Sequence, residues 1–155
     1  MRIHLTVNGA ERMWDVAPGD TLLDALRREG FVGVKKGCGT GDCGACTILL
    51  NGRAVNACLL LAVKAEGGAV VTIEGVAQGG RLHPVQEAFL EAGAVQCGYC
   101  TPGMVLSAVS LLSHNPDPSE AEIREAISGN LCRCTGYVKQ IAAVELAAAR
   151  MRESR

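Results

Sequence analysis

Gly37-Cys38-Gly39-Thr40-Gly41-Asp42-Cys43-Gly44-Ala45-Cys46 is the segment from which the rest of the chain is best read. Its cysteines are spaced C-x4-C-x2-C, and Cys58 follows after eleven further residues. Four thiols in a loop this rich in glycine suit an object that the backbone must wrap closely. Residues without Cβ let amide N–H groups approach such an object and tolerate positive φ.

The spacing is that with which plant-type ferredoxins hold a [2Fe–2S] cluster. Such a group, thiolates included, carries about −2 when oxidised and about −3 when reduced, so converging amides stabilise it and help set its potential. Cys38, Cys43, Cys46 and Cys58 are therefore candidate iron ligands. Lys35 and Lys36 stand beside the loop, either as electrostatic support or as a solvated pair.

Two competing readings fail on the same residues. Gly39-Thr40-Gly41-Asp42-Cys43-Gly44 fits the dinucleotide pattern G-x-G-x-x-G. No firm strand precedes it, a strand-like rather than helical segment follows, and Lys64 stands where an acidic ribose ligand belongs. Structural zinc also takes four cysteines, but these separations suit it poorly.

Composition narrows the class. Two tyrosines, two phenylalanines and one tryptophan accompany eight cysteines and nineteen glycines in 155 residues. An interior so poor in rings gains order from bound inorganic groups. The formal charge of −1, without long runs of either sign, gives no reason to expect nucleic acid or an anionic membrane as partner. No apolar stretch is long enough to span a bilayer, and Met1 to Gly9 reads as a strand and turn rather than a signal peptide. A cytoplasmic, reducing setting is expected, which disfavours a disulfide scaffold.

The first half reads as β-rich. Ile3, Leu5 and Val7 alternate with polar residues, Asn8-Gly9 marks a hairpin, and Arg12 to Val16 returns. Asp20 or Thr21 caps a helix over Leu22 to Glu29. Asn51-Gly52 joins strands Thr47–Leu50 and Arg53–Asn56, and a last strand is expected over Val70 to Ile73. Beyond Ala77-Gln78-Gly79-Gly80-Arg81 the hydrophobic period lengthens to a helical one.

Helices are expected from Pro84, from Pro102 to a stop at Asn115-Pro116, from the capping box Ser119/Glu122 to about Ser128, and from Tyr137 to about Met151. The chain is thus read as α+β, with domains over 1–76 and 84–155 joined by a linker over 77–83. Each domain carries four cysteines.

The second set is Cys97-x2-Cys100 and Cys132-x-Cys134, with two helices between the pairs. Spacing alone leaves zinc, a second cluster and a redox dithiol open. Each pair lies just before a helix, whose N-terminal dipole favours an anionic centre, yet tetrathiolate zinc is anionic too. A chain that already carries one redox cluster has a use for a second. His4, His83 and His114 lie apart from the cysteines and read as surface or strand histidines, and no Ser-His-Asp set or carboxylate pair stands out.

Three motifs then make the sequence familiar. Gly37 to Thr47, Gln96-Cys97-Gly98-Tyr99-Cys100-Thr101-Pro102-Gly103 and Gly129-Asn130-Leu131-Cys132-Arg133-Cys134-Thr135-Gly136-Tyr137 resemble the small iron–sulfur subunit of the xanthine dehydrogenase, or molybdenum hydroxylase, family. The resemblance spans nearly the whole chain. It implies a plant-type ferredoxin-like (β-grasp) domain followed by a four-helix [2Fe–2S] domain, and so assigns a second cluster to Cys97, Cys100, Cys132 and Cys134. It further implies electrons passing from a molybdenum-pterin centre on a large subunit, through both clusters, to FAD on another subunit, in a dimer of heterotrimers. Gln96 and Cys134 match positions that lie beside the pterin in that family.

Gly93-Ala94-Val95-Gln96, Ala65-Glu66-Gly67, Glu74-Gly75 and Gly79-Gly80 look most like the bacterial xanthine or purine enzymes. Aldehyde, nicotinate, carbon monoxide and 4-hydroxybenzoyl-CoA enzymes share the three motifs.

Overall fold

The computed structural model describes residues 1–154; Arg155, the last residue of the expected helical domain, lies outside them. Strands β1 (Arg2–Val7) and β2 (Ala10–Asp15) form the first hairpin. Asn8 and Gly9 take φ of 52° and 80°, as a two-residue turn with both centres left-handed requires. Ile3, Leu5 and Val7 turn inward with Trp14, which pairs with Ile3 across the ladder. Helix α1 (Leu22–Arg28) is capped by Thr21, whose hydroxyl accepts the Asp24 N–H, and it lays Leu22, Leu23 and Leu26 on this core.

Strands β3 (Thr47–Leu50) and β4 (Arg53–Asn56) form the second hairpin over Asn51-Gly52, and β5 (Ala69–Val71) completes a five-stranded mixed sheet in the order β2-β1-β5-β3-β4. The expected strand over Val70 to Ile73 is shorter and earlier than its apolar run suggests. Asn8 is the reason. Its Oδ1 accepts the Thr72 N–H and its Nδ2 donates to Thr72 Oγ1, both at 2.9 Å, so a side chain replaces the next rung and the chain turns into a 3-10 turn over Ile73–Gly75.

Helices α2 (Pro84–Glu91), α3 (Thr101–His114), α4 (Glu120–Ile127) and α5 (Val138–Glu153) build the second core around Phe89, Met104, Leu106, Ile123 and Val144. Strand β3 belongs to both cores: Ile48 faces the α1 side while Leu49 packs with the helices, and α3 lies against β3. Between the halves, residues 78–81 form a tight turn. Gln78 and Arg81 exchange both backbone hydrogen bonds at 3.0 Å, and Val76 is already buried in the helical core. Among the described residues no helix is long and apolar enough to cross a membrane.

His83 departs from its expected surface or strand role. It caps α2: its Nδ1 accepts the Val85 N–H at 3.2 Å, and the Gln86 side chain accepts the His83 N–H at 2.9 Å. Burial holds its pKa below 6.5, with Glu87 opposing. The folded state therefore takes up this proton less readily than the unfolded chain. Stability is full above pH 6.5 and is lost as pH falls through the lowered value. Thermal unfolding at pH 7.5 and 5.5 should show an acid-side drop in Tm that shrinks in His83→Asn, which keeps a capping oxygen but does not titrate.

Candidate metal centres in two joined loops

The first loop runs from the end of the α1 region into β3. Cys38 is exposed, Cys43 half-buried, and Cys46 and Cys58 lie in the first core. Backbone amides point at sulfur: Thr40 and Cys43 N–H groups donate to Cys38 Sγ, and the Cys38 N–H donates to Cys43 Sγ, all at 3.4 Å. A Cβ on Gly37 would sit 2.6 Å from Cys43 Sγ, so no other residue leaves this sulfur its room.

These contacts polarise the set. The Thr40 hydroxyl, with the Thr40 and Cys43 amides, pulls the Cys38 thiol down to about 6. Burial, then the neighbouring Cys58 thiol, pushes Cys46 up to about 11. Two roles are open to Lys35 and Lys36, and neither ammonium contacts a cysteine sulfur. Lys35 Nζ donates to the Val32 carbonyl at 3.1 Å, and Lys36 Nζ pairs with Asp24 at 2.9 Å.

In the second set Cys97 and Cys134 are exposed, and Cys100 and Cys132 half-buried. Cys100 stands immediately before α3, with Pro102 in the first turn. Burial, then the Cys132 thiol, pushes Cys100 up to about 12. Burial also acts against Cys132, but the Thr135 hydroxyl and amide outweigh it and bring that thiol below its ordinary value. Their distances to Cys132 Sγ are 3.1 and 3.4 Å. Cys134 meets the Cys97 amide, which lowers its pKa, while the Cys97 thiol and burial raise it; the net shift is upward. Gln96 is exposed beside this pair.

The halves touch at the loops themselves. The Leu131 N–H donates to the Cys43 carbonyl at 2.8 Å, which leaves one hydrogen bond and a short covalent path between Cys43 and Cys132. Asn130, 3% exposed, donates to the Gly44 carbonyl at 3.0 Å and to Thr47 Oγ1 at 3.1 Å, and accepts the Ser107 hydroxyl at 2.7 Å. The Tyr99 hydroxyl donates to the Lys36 carbonyl at 2.7 Å. Tyr137, at φ 68°, accepts the Cys132 N–H with its phenol oxygen and donates to the Asn130 carbonyl. Asn130, Thr135 and Tyr137 sit inside a motif already quoted, but only the three-dimensional contacts give them roles.

Each set brings four sulfurs together, with backbone amides donating to Cys38, Cys43 and Cys132, a donor set that fits a group with bridging sulfides of its own. Among the described residues no three His, Cys, Asp or Glu side chains converge tightly enough for a single metal ion.

Comparison with known proteins agrees with this geometry. The profile of the "2Fe-2S iron-sulfur cluster binding domain" family matches residues 5–69, and that of the "[2Fe-2S] binding domain" family matches 72–145. The small FeS subunit of nicotinate dehydrogenase from Eubacterium barkeri is 53% identical over 96% of this chain and 95% of its own length. The iron-sulfur-binding subunit of xanthine dehydrogenase from Escherichia coli O157:H7 is 46% identical over 87% and 86%. Among solved structures, quinoline 2-oxidoreductase from Pseudomonas putida 86 superposes with a TM-score of 0.94 at 48% identity, covering 99% of this chain and 96% of the matched one. With two [2Fe–2S]-binding domains in this order, the chain belongs to the small iron–sulfur subunits of the xanthine dehydrogenase, or molybdenum hydroxylase, family.

Proposed function

We propose that this chain conducts electrons inside a molybdenum hydroxylase, from a molybdenum-pterin centre on a large subunit to FAD on another, in a cytoplasmic dimer of heterotrimers. Cys38, Cys43, Cys46 and Cys58 hold one [2Fe–2S] cluster, and Cys97, Cys100, Cys132 and Cys134 the other. Each cluster, when bound, takes up and gives up one electron. The residues do the rest: amides cradle sulfur, apolar cores exclude water, and the loops are kept at a fixed spacing. The reading assigns 1–76 to a ferredoxin-like domain, 77–83 to a connection and 84–155 to a helical domain.

The hydrogen bond from Leu131 N–H to the Cys43 carbonyl supports this reading most directly, because it joins the two cysteine loops by their backbones. Gln96 and Cys134, both exposed, are proposed to meet the pterin. The substrate is proposed to be a nitrogen heterocycle. The motif variants favour a purine such as xanthine, and the 53% identical relative favours nicotinate equally. Turnover of the assembled complex on xanthine, nicotinate and an aldehyde decides among them.

The purified chain should carry about four irons and about four acid-labile sulfides and co-purify with molybdenum- and flavin-bearing subunits. Two zinc ions instead would overturn the reading. Cys58→Ser should abolish one of two paramagnetic signals of the reduced protein, and Cys132→Ser the other. Loss of both signals from each single change would contradict the assignment of separate ligand sets.

A further inference from the structure

Gln140 is the exception in an otherwise apolar face. It lies on α5 among Ile141, Ala143 and Val144, is 0% exposed, and stands where an aliphatic residue would fill the same space without a polar group to satisfy. Its Nε2 donates twice, to the Ala94 carbonyl at 3.0 Å and to Thr135 Oγ1 at 2.9 Å. Its Oε1 has no hydrogen-bond partner among the described residues. The unpartnered oxygen does not signal a reversed amide, because a carbonyl only accepts and Ala94 therefore requires the nitrogen on its side.

The consequence falls on Thr135. A hydroxyl has one proton and two lone pairs. Gln140 donates to the oxygen from one side, and the Tyr137 N–H lies 3.5 Å away on another. The proton is left for Cys132 Sγ at 3.1 Å. Without Gln140 nothing pins the hydroxyl, and its proton is free to turn away from the sulfur, which as a ligating thiolate can only accept. One side chain thus fixes the direction of a hydrogen bond to a ligand it does not touch. It also ties the segment before Gln96-Cys97 to the loop bearing Cys132.

We infer that Gln140 is a positioning residue that sets the reduction potential of the helical domain's cluster, by holding the Thr135 hydroxyl as a donor to Cys132. This inference rests on the cluster assignment proposed above. A hydrogen bond to a ligating sulfur stabilises the more negative, reduced state more than the oxidised one, so it raises the potential. Loss of the donor therefore moves the midpoint downward.

The test is a redox titration of the full-length chain followed by paramagnetic resonance, in wild type, Gln140→Leu, Thr135→Val and the double variant. The wild-type signals decide the underlying assignment on their own: without two [2Fe–2S] signals, that reading falls first. With both present, the helical-domain midpoint should be more negative in each single variant, and the double variant should show no additional shift beyond Thr135→Val. The N-terminal cluster, as internal reference, should stay at its wild-type value.

An unchanged midpoint in a Gln140→Leu protein with full iron and sulfide overturns the inference, as does a double variant whose shift is the sum of the two. Should Gln140→Leu bind iron incompletely, Thr135→Val compared with Thr135→Ser decides. The serine variant should keep the wild-type midpoint and the valine variant lose it; equal midpoints in the two overturn the inference.

Discussion

Gly44→Ala should destabilise the fold sharply and disturb both cysteine loops at once. The added Cβ would lie 2.2 Å from the Gly129 carbonyl and 2.7 Å from Asn130 Nδ2, and the residue holds φ +66°. Neither obstacle yields cheaply, since one is backbone and the other a buried amide already committed to two acceptors. Overpacking and left-handed strain together destabilise by roughly 2–5 kcal/mol. The displaced Gly129-Asn130-Leu131 segment carries the bond to Cys43, so both paramagnetic signals should change from one substitution in the first loop. Gly9→Ala is the control: its φ is +80° but its Cβ meets nothing within 4 Å. Denaturant midpoints equal for the two variants would show that the contact with Gly129 is not what matters.

Asn130→Ala should come close behind. Removing its amide leaves the buried Ser107 hydroxyl without its acceptor and takes one donor each from Gly44 and Thr47. At about 1–3 kcal/mol for each buried group left unsatisfied, the loss is roughly 2–5 kcal/mol. Asn130→Asp makes a sharper test at nearly equal volume. It keeps an acceptor for Ser107 but turns a carboxyl oxygen toward the Gly44 carbonyl. Burial and that carbonyl favour the protonated acid, so the folded state binds this proton more tightly than the unfolded chain. Stability of the variant should then fall as pH rises above the ordinary carboxyl range, the opposite of the His83 effect. A flat difference from wild type between pH 4 and pH 8 would remove Asn130 from this role.

What the sequence made legible was local. Asn8-Gly9, Asn51-Gly52, Ser119/Glu122 and Pro84 each specify their turn or cap within a few residues, and all four formed where they were expected. The first cysteine spacing was equally direct. Failures came where distant residues intervene. Asn8 shortens β5 from 64 positions away, and Asn130 reaches Gly44 across 86. No periodicity records such a bond. Lys36 lay next to the cysteines in sequence, yet its nearest countercharge, Asp24, is on α1. The second cysteine set was undecidable by spacing because zinc and iron accept the same thiols; the motifs around it, not the cysteines, carried the assignment.

Strand β3, with Ile48 in one core and Leu49 in the other, makes a common wall of what reads as two modules. Electron tunnelling falls steeply with distance, so a pair of carriers on a hinge would be a valve, fast when closed and slow when open. A shared strand forbids that motion: the halves cannot separate without exposing the apolar surface around Leu49. On the proposed reading, the separation of the two clusters is therefore a constant of the fold. The surface is open at Cys38, the two-thirds-exposed Leu59, Gln96 and Cys134, where redox partners would have to approach.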